Sequence, residues 1–468
     1  MESTKKHKKV LSRIDVIFLA FGAMIGWGWV VLSGTWIEAA GLLGAVIAFL
    51  IGGLLVTFVG LTYAELISAM PDDGGELSYV LRSIGPKSAF IASWAIALGY
   101  ISVVAFEAVA LPTVIEYLFP NYKVGLMYTI TDYDVYLTWV LVGAIGSILI
   151  TIINYFGVQT AAFFQMVLTA IITLIGIMLV FGSSINGDFS NAEPLFSGGA
   201  AGIITVLVMA PFLFVGFDVI PQASKDMNVP PKSIGKLLIL SIVFAVTFYI
   251  AVILAVGFAL DRNELSTSVL PTADAMAAVF GSDLFSKILI IGGVAGIITS
   301  WNAFVIGGSR VIQSMADKKM IPAWFGKVHP KYNTPTNAVI FIGALATFSP
   351  LLGRPMLVWL VDAGGLAIVI AYLLVAIAFV RLRKNEPDLV RPFRAGKSSI
   401  IGWISIFMSI GFIVLYLPGM PAALIWPYEW FIFAGWWAIG FILMFIMRGN
   451  YQDISLKVKQ SSSQQGQV

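Results

Sequence analysis

Long apolar runs separated by short polar segments make up most of the chain. Nearly all of these runs reach the roughly 20 helical residues needed to cross a bilayer. Polar and apolar positions do not alternate residue by residue as in an outer-membrane barrel, so the pattern predicts an all-α integral membrane protein with about twelve transmembrane helices. The runs are 14–40, 42–69, 88–118, 134–155, 158–183, 199–222, 235–260, 284–312, 336–352, 356–381, 400–418 and 427–447.

Composition and charge agree with this class and set an orientation. Charged residues make up 11% of the chain, against roughly 25% in soluble domains. With a cytoplasmic N-terminus, 24 of the 28 lysines and arginines lie inside, as the positive-inside rule requires. We expect a multi-pass protein of the cytoplasmic membrane, with both termini in the cytoplasm, the lipid bilayer as partner and no nucleic-acid partner. The four basic residues left outside are Lys123, Arg262, Lys287 and Arg354.

Residue types that usually carry catalysis are scarce. The chain has no cysteine, which excludes disulfides and thiolate metal sites, and its two histidines, His7 and His329, lie in polar segments. An intramembrane enzyme therefore has no evident centre, and we expect neither an enzyme nor a cofactor apart from the sodium ion considered below. A channel is also disfavoured, because few polar residues follow the spans.

Two spans contain helix-breaking residues. The first carries Gly22, Gly26 and Gly28, and the sixth carries Pro211 and Gly216 within six residues. Interruptions at matching positions in two halves point to a transporter's binding site. The alternative for the first span is a packing face of small residues, Gly22 and Gly26. The pattern suggests these segments: a basic N-terminus (1–13), two five-helix repeats (14–183 and 199–381), two further helices (400–447) and a tail (448–468).

Broken helices expose backbone groups with opposite preferences. Free amides at one half-helix hold a carboxylate, and free carbonyls at the other hold an ammonium group or a sodium ion. Such groups are tolerated at membrane depth only where they line a cavity or are buried in protein. A zwitterionic substrate satisfies both ends.

Four segments resemble the amino acid–polyamine–organocation transporters. They are "GAMIGWGWV" (22–30), "YAELISAMPDDGGELSYV" (63–80), "FLFVGFDVIPQASKDMNVPPKSIGKLL" (212–238) and "SRVIQSMADKKMIPAWFGKVHPKYNTPTNAV" (309–339). They occur in the family's order. The resemblance implies the five-plus-five inverted repeat of the leucine-transporter fold, with helices 1 and 6 unwound and two C-terminal helices added.

The same resemblance implies a substrate site. Amides of Gly26, Trp27 and Gly28 would bind the substrate carboxylate. The carbonyls facing its amino group would be those of Met24, Phe212 and Val215. The Phe212 ring would close over the substrate and Phe217 would contribute to the pocket; the alternative for both phenylalanines is core or lipid packing.

Coupling remains open at the level of sequence. Proton-coupled relatives carry a lysine in the fifth helix, where this chain has Ile172 or Thr173. Thr299 and Ser300 match a hydroxyl pair that holds sodium in relatives of the fold; the alternative is hydrogen bonding within the helix or to a neighbour. The sodium site would comprise the carbonyls of Gly22, Ile25 and Gly296 and the hydroxyls of Thr299 and Ser300.

Acidic residues within the apolar runs are functional candidates, because a carboxylate there is costly unless protonated or paired. Glu107 in the third span is interpreted as a proton-coupling group, a partner for a cationic substrate, or a protonated structural donor. Asp218 stands at the family's glutamate position and either titrates during transport or anchors the break. Asp362 resembles a position near the outer gate, the alternative being that it caps a local break, and Glu65 is expected in a hydrogen-bond network on the cytoplasmic side.

These observations predict a secondary transporter of amino acids, most consistent with neutral ones, that works by alternating access with ion symport or exchange. No basic residue lies at the depth of the predicted site to pair an acidic substrate side chain. The alternative is a transporter of cationic amino acids or small amines, proton-coupled through a buried carboxylate.

Overall fold

The computed structural model describes residues 11–71, 74–224, 227–451 and 453–454, apart from the side chains of 158–163. The predicted N-terminus (1–13) and tail (448–468) therefore lie largely outside the described residues. The described chain is almost entirely helical, which confirms the all-α class. Its helices are α1 (Arg13–Met24), α2 (Gly28–Ala40), α3 (Leu42–Ala69), α4 (Glu76–Ser83), α5 (Pro86–Leu118), α6 (Leu137–Phe156), α7 (Val158–Asn186), α8 (Gly199–Phe214), α9 (Val219–Gln222), α10 (Pro231–Ala259), α11 (Arg262–Thr267), α12 (Pro271–Phe280), α13 (Asp283–Asp317), α14 (Thr336–Phe348), α15 (Met356–Asn385), α16 (Ile400–Leu415) and α17 (Tyr428–Ile446).

The predicted apolar runs correspond to these helices with small shifts at their ends. Nine segments within the described residues are apolar and long enough to cross a bilayer, one of them being α8 and α9 together. The pair α1 and α2 passes the same test as one span bent by 44°. Two shorter apolar helices occupy 336–352 and 400–415. The number of crossings and the inverted repeat remain predictions.

Breaks occur in the first and sixth spans, as the sequence predicted. The first lies between Met24 and Gly28. The second lies between Phe214 and Val219, where Gly216 has φ +136°, a conformation that disfavours any residue with a Cβ. The helix continues through Pro211, so glycine rather than that proline marks the break.

The most buried helix is α5, which packs against α13 and α15. An apolar stretch of 18 residues in α5 is 94% buried inside the protein, whereas the corresponding stretch of α17 is 17% buried. A polar residue on α5 is thus surrounded by protein, which makes Glu107 an interior group.

One end of the bundle, which we call the basic end, holds a buried ion-pair network. Glu65 at the end of α3 pairs with Arg383 (2.5 Å) and Arg391 (3.1 Å), and the amide of Ala395 donates to it (2.8 Å). Leu11 bridges to Met227 and Arg82 pairs with Glu386 (2.7 Å) at the same end. The expectation that Glu65 belongs to a network is confirmed.

At the opposite end, which we call the hairpin end, two strands precede α6. Strands β1 (Leu126–Ile130) and β2 (Tyr133–Tyr136) pair antiparallel, and Tyr128 donates to the carbonyl of Leu351. The run predicted at 134–155 is therefore a helix only from Leu137. Its first three residues, Asp134, Val135 and Tyr136, belong to the second strand of the hairpin, which the apolar pattern did not indicate.

Candidate functional site

The two helix breaks lie against each other in the interior. A Cβ on Gly216 would stand 2.8 Å from the Cβ of Ala23 and 3.0 Å from the amide nitrogen of Met24. The carbonyl oxygen of Met24, freed at the end of α1, accepts a hydrogen bond from the Tyr249 hydroxyl of α10 (2.9 Å). Glycine at 216 therefore allows the sixth-span break to approach the first.

A cavity of about 20 Å³ lies between the breaks. This volume is close to that of one water molecule and far below that of an amino acid. Substrate binding therefore requires the surrounding helices to separate. The lining residues are Ala23, Met24, Gly26, Gly28, Val103, Phe106, Glu107, Phe212, Leu213, Tyr249, Ser300 and Phe304.

Six of the predicted site residues line this cavity: Met24, Gly26, Gly28, Phe212, Glu107 and Ser300. Two of the remaining substrate-site predictions, Trp27 and Val215, lie beside it. The Trp27 amide points to Glu107, while its ring contacts Gly293. Val215 occupies the sixth-span break.

Phe217 does not line the cavity. Its ring lies 5.5 Å from those of Tyr63 and Tyr372, between the cavity and the basic end. Aromatic packing of this kind is the alternative weighed for Phe217, whose contribution to the substrate pocket stays a prediction.

The carboxylate of Glu107 accepts a hydrogen bond from a backbone amide of the first-span break. The Trp27 amide donates to its Oε1 (3.4 Å), and the Ser300 hydroxyl lies beside the same carboxylate. A Cβ on Gly26 would stand 2.5 Å from Glu107 Oε1 and 2.7 Å from Ser300 Oγ. Glu107 Oε2 is buried without a hydrogen-bond partner in the described part of the chain. A carboxylate of the protein thus holds an amide that the sequence assigned to the substrate.

Of the two fifth-span residues that the sequence offered for the lysine position, Ile172 and Thr173, it is Ile172 that reaches the first and eighth spans. Its Cδ1 contacts Gly296 of α13, beside the carbonyls of Ile25 and Gly26. Thr173 instead donates to the carbonyl of Thr169 in its own helix (2.6 Å). An apolar side chain therefore fills the junction of the first, fifth and eighth spans, and α7 supplies no titratable group there.

The predicted sodium ligands lie together at that junction. Thr299 Oγ1 is 3.3 Å from the carbonyl oxygen of Gly22 and 3.0 Å from that of Gly296, and a Cβ on Gly296 would be 3.4 Å from Ile25 O. Uncharged oxygen atoms are a suitable type of ligand for a monovalent cation. The Thr299 hydroxyl, however, also fits the alternative, because it can donate within its helix to the carbonyl of Gly296 or to the neighbouring carbonyl of Gly22.

Asp218 stabilises the sixth-span break. Its Oδ1 accepts from the Gly216 amide (2.9 Å), and its Oδ2 accepts from the Tyr372 hydroxyl (3.4 Å). Glu76 at the start of α4 lies nearby and accepts from Tyr63 (3.0 Å) and from Gln222. Asp218 and Glu76 form a buried polar cluster between the cavity and the basic end.

Several lining residues were not predicted, namely Ala23, Val103, Phe106, Leu213, Tyr249 and Phe304. The sequence contained a signal for Tyr249, because its hydroxyl lies within a long apolar run. In the structure this hydroxyl forms a buried hydrogen bond. The others are apolar residues in apolar helices. Only the rotation of each helix decides whether such a residue faces the cavity.

Two adjoining helix breaks around a buried cavity are the arrangement of a membrane transporter with a mid-membrane site. The sequence model of the amino acid permease family matches residues 11–451. The chain therefore belongs to the amino acid permease family, and it is a multi-pass membrane protein that transports small molecules of the amino acid class.

Three proteins of Bacillus subtilis (strain 168) are similar to this chain over nearly its whole length. The chain is 26% identical to a branched-chain amino acid permease, over 96% of this chain and 95% of that protein. It is 27% identical to a methylthioribose transporter (95% and 94% covered) and 26% identical to an aspartate–proton symporter (96% and 91%). These relatives differ in their named substrates at nearly equal identity, so the particular substrate depends on the site itself.

Proposed function

We propose that this permease carries neutral amino acids across the cytoplasmic membrane together with a proton bound at Glu107. It works by alternating access, with both termini and the basic end in the cytoplasm. Lys225, Lys232 and Lys236 and the basic segment 381–397 support this orientation through the positive-inside rule.

The cavity lining favours a neutral side chain. Val103, Phe106, Phe212, Leu213 and Phe304 provide its apolar surface. No lysine, arginine or histidine is among the described lining residues. An acidic substrate side chain would therefore be buried without a partner, at a cost of several kcal/mol.

The hydrogen bond from Trp27 to Glu107 is the observation that carries proton coupling. A substrate carboxylate that binds the amides of the first-span break must take the Trp27 amide from Glu107. Two adjacent carboxylates in a dry site repel each other. A proton on Glu107 removes the repulsion and turns the side chain into a donor to the substrate carboxylate. Substrate and proton then stabilise each other's binding, and loss of the proton returns Glu107 to the amide and displaces the substrate.

Uptake into proteoliposomes tests this function. A labelled mixture of neutral amino acids is supplied under an inward proton gradient, an inward sodium gradient at equal pH, or neither. We expect accumulation only with the proton gradient, and its loss in Glu107→Gln. The control is Glu116→Gln, a carboxylate on the same helix in a partly exposed pair with Lys123. Accumulation by Glu107→Gln equal to wild type would contradict the assignment of the proton site.

Sodium coupling is the second candidate, supported by the oxygen cluster around Thr299. The ligands would be the carbonyls of Gly22, Ile25 and Gly296 and the hydroxyls of Thr299 and Ser300, and the ion would hold the first-span break against α13. In this case the sodium gradient drives uptake, and Thr299→Ala removes the sodium dependence while leaving exchange of substrate intact.

A cationic substrate is the remaining alternative, because the free Oε2 of Glu107 would pair with an ammonium group. Competition by unlabelled arginine and by a simple diamine separates it from the neutral proposal. We expect leucine and alanine to compete with the labelled mixture and the two cations not to do so. Inhibition by the diamine alone would identify Glu107 as a partner for amines.

A further inference from the structure

A second pair of interior carboxyl groups lies at the hairpin end, away from the cavity. Asp362 in the second turn of α15 and Glu429 in the first turn of α17 face each other across the packed helices, beside the rings of Trp359 and Tyr428, which stack at 4.3 Å. Glu429 is fully buried, and its Oε2 accepts from the Ile425 amide (2.6 Å). The proposed transport mechanism does not use either residue.

The contact between these carboxyls requires a proton. Ionised carboxylates are acceptors only, so two of them cannot hydrogen-bond. Asp362 Oδ1 and Glu429 Oε1 are both buried without a donor among the described residues. One shared proton gives the two side chains a hydrogen bond and removes the repulsion between two buried charges, as in paired carboxyls generally.

Among the residues that the structure describes, no positive charge replaces that proton. The titratable groups beside the pair are the hydroxyl of Tyr416, which donates to the Val208 carbonyl of α8 (2.5 Å), and Tyr428, whose ring stacks on Trp359 (4.3 Å). Arg354, before α15, donates instead to the Val269 carbonyl (3.2 Å). In the described residues, neither α8, α15, α16 nor α17 directs a lysine, arginine or histidine at the two carboxyls.

The pair is connected to the substrate site through α8 and α15. Val208 precedes Phe212 by about one turn of α8. Gly364 follows Asp362 by two residues, and a Cβ there would stand 3.2 Å from the Phe212 ring and 2.8 Å from Ser102. Separation of α15 from α17 would therefore shift the surface against which Phe212 packs.

We propose that Asp362 and Glu429 share one proton and form a clasp that holds α15 against α17 in the arrangement that binds substrate. Both are positioning residues, because they touch neither the cavity nor its lining. Loss of the shared proton leaves two like charges in contact, which separates the helices and weakens substrate binding. Transport then depends on protonation at two places, Glu107 and the clasp.

Glu429→Gln tests the clasp, because the amide oxygen still accepts from Ile425 and the amide nitrogen donates to Asp362 at any pH. The first measurement is the thermal unfolding midpoint in detergent from pH 5 to 9, which requires no knowledge of the substrate. We expect the midpoint of wild type to fall at the alkaline end and that of Glu429→Gln to change less. Glu429→Ala should have a lower midpoint throughout. Equal pH profiles for wild type and Glu429→Gln would overturn the clasp.

The second measurement is exchange of labelled neutral amino acid at equal pH on both sides, in a Glu107→Gln background that removes the central proton. With Glu429 intact, we expect KM to rise up to about tenfold per pH unit once the shared proton is lost, at little change in kcat. Addition of Glu429→Gln should flatten the KM profile. A flat profile before this addition would contradict the clasp, whereas absence of exchange in wild type would contradict the proposed function only, leaving the unfolding profiles to decide.

Discussion

Gly26 shows how closely the backbone and the coupling carboxyl approach each other. A side chain there would displace Glu107 and Ser300, the two groups that meet at the first-span break. The glycine predicted from sequence as a helix breaker therefore also provides space for the carboxylate. Because of this position, even the substitution of Gly26 by alanine tests the contact between the break and Glu107.

We expect Gly26→Ala to reduce uptake by at least tenfold, because the added Cβ would stand 2.5 Å from Glu107 Oε1 and 2.8 Å from Ser300 Cβ. The measurement is initial uptake at matched protein content. Gly435→Ala is the control, since nothing lies within 4 Å of a Cβ at that position. Uptake by Gly26→Ala at the level of Gly435→Ala would mean that Glu107 and the break are not in contact during transport.

At this scale, residues with unusual chemistry were predictable and those with ordinary chemistry were not. Glu107 and Gly26 stood out as a carboxyl and a glycine in apolar helices, and both line the cavity. Val103 and Phe106 line it too, but nothing distinguishes them in sequence from lipid-facing neighbours. The hydrogen bond from the Trp27 amide to Glu107 could not be predicted from the sequence either, because it depends on the alignment of α5 with the first-span break.

Two ion pairs of different burial join helices to one another at the basic end. α3 and α15 are joined through Glu65 and Arg383, which are almost fully buried (1% and 6% exposed side chains). Arg82 and Glu386 join α4 to the end of α15 through a pair that is about one-quarter exposed. These two pairs have similar geometry but different burial, which allows a direct comparison of their contributions.

We expect Glu65→Ala to lower the free energy of unfolding by about 3–5 kcal/mol, because it leaves the buried charges of Arg383 and Arg391 uncompensated. Glu386→Ala should cost about 0–1 kcal/mol, since water screens that pair. Denaturant titration of both variants in the same detergent provides the comparison. Equal losses would show that Arg383 and Arg391 find other partners when Glu65 is removed.

Glu76 on α4, outside the membrane-spanning helices, gives the fold a pH dependence of its own. Burial and the nearby Asp218 carboxylate raise the pKa of Glu76 from 4.5 to about 8. The folded protein thus retains a proton that the unfolded chain loses, so this contribution is fully present below pH 4.5 and is lost as the pH rises to about 8. We expect the unfolding midpoint to fall between pH 5 and 8 in wild type.

Glu76→Gln should reduce that decline, because the amide is neutral throughout and still accepts from Tyr63. Glu386→Gln, at a side chain that is about one-quarter exposed, is the control and should keep the wild-type profile. An unchanged slope in Glu76→Gln would show that another group titrates with folding in this range. The clasp variant Glu429→Gln is distinguishable, since the changes should add for groups on separate helices without shared partners.

Most elements were predictable because membrane-spanning helices are set by length and hydrophobicity. The exceptions have physical reasons. The hairpin of β1 and β2 has only nine residues in its strands, too few for a clear alternating pattern. The sixth-span break falls at Gly216 rather than Pro211, because a helix tolerates proline when its neighbours satisfy the freed backbone groups.

The whole molecule combines a closed central cavity with titratable clusters toward both ends. Glu107 lies at the cavity, Asp218 and Glu76 lie toward the basic end, and Asp362 and Glu429 lie toward the hairpin end. Alternating access requires the contacts on one side to open while those on the other remain closed. Carboxyls without basic partners are suited to this task, because the loss of a proton converts attraction into repulsion.

The most direct test of the account is the pH dependence of substrate affinity in wild type and in Glu107→Gln. Binding of a labelled neutral amino acid to purified protein is measured from pH 5 to 9, with no membrane gradient. If proton and substrate bind together at Glu107, the wild-type affinity falls with rising pH more steeply than that of Glu107→Gln, by up to about a further tenfold per unit, because Glu107→Gln keeps only the pH dependence of the clasp. Parallel profiles in the two proteins would contradict the claim that Glu107 couples the proton to the substrate.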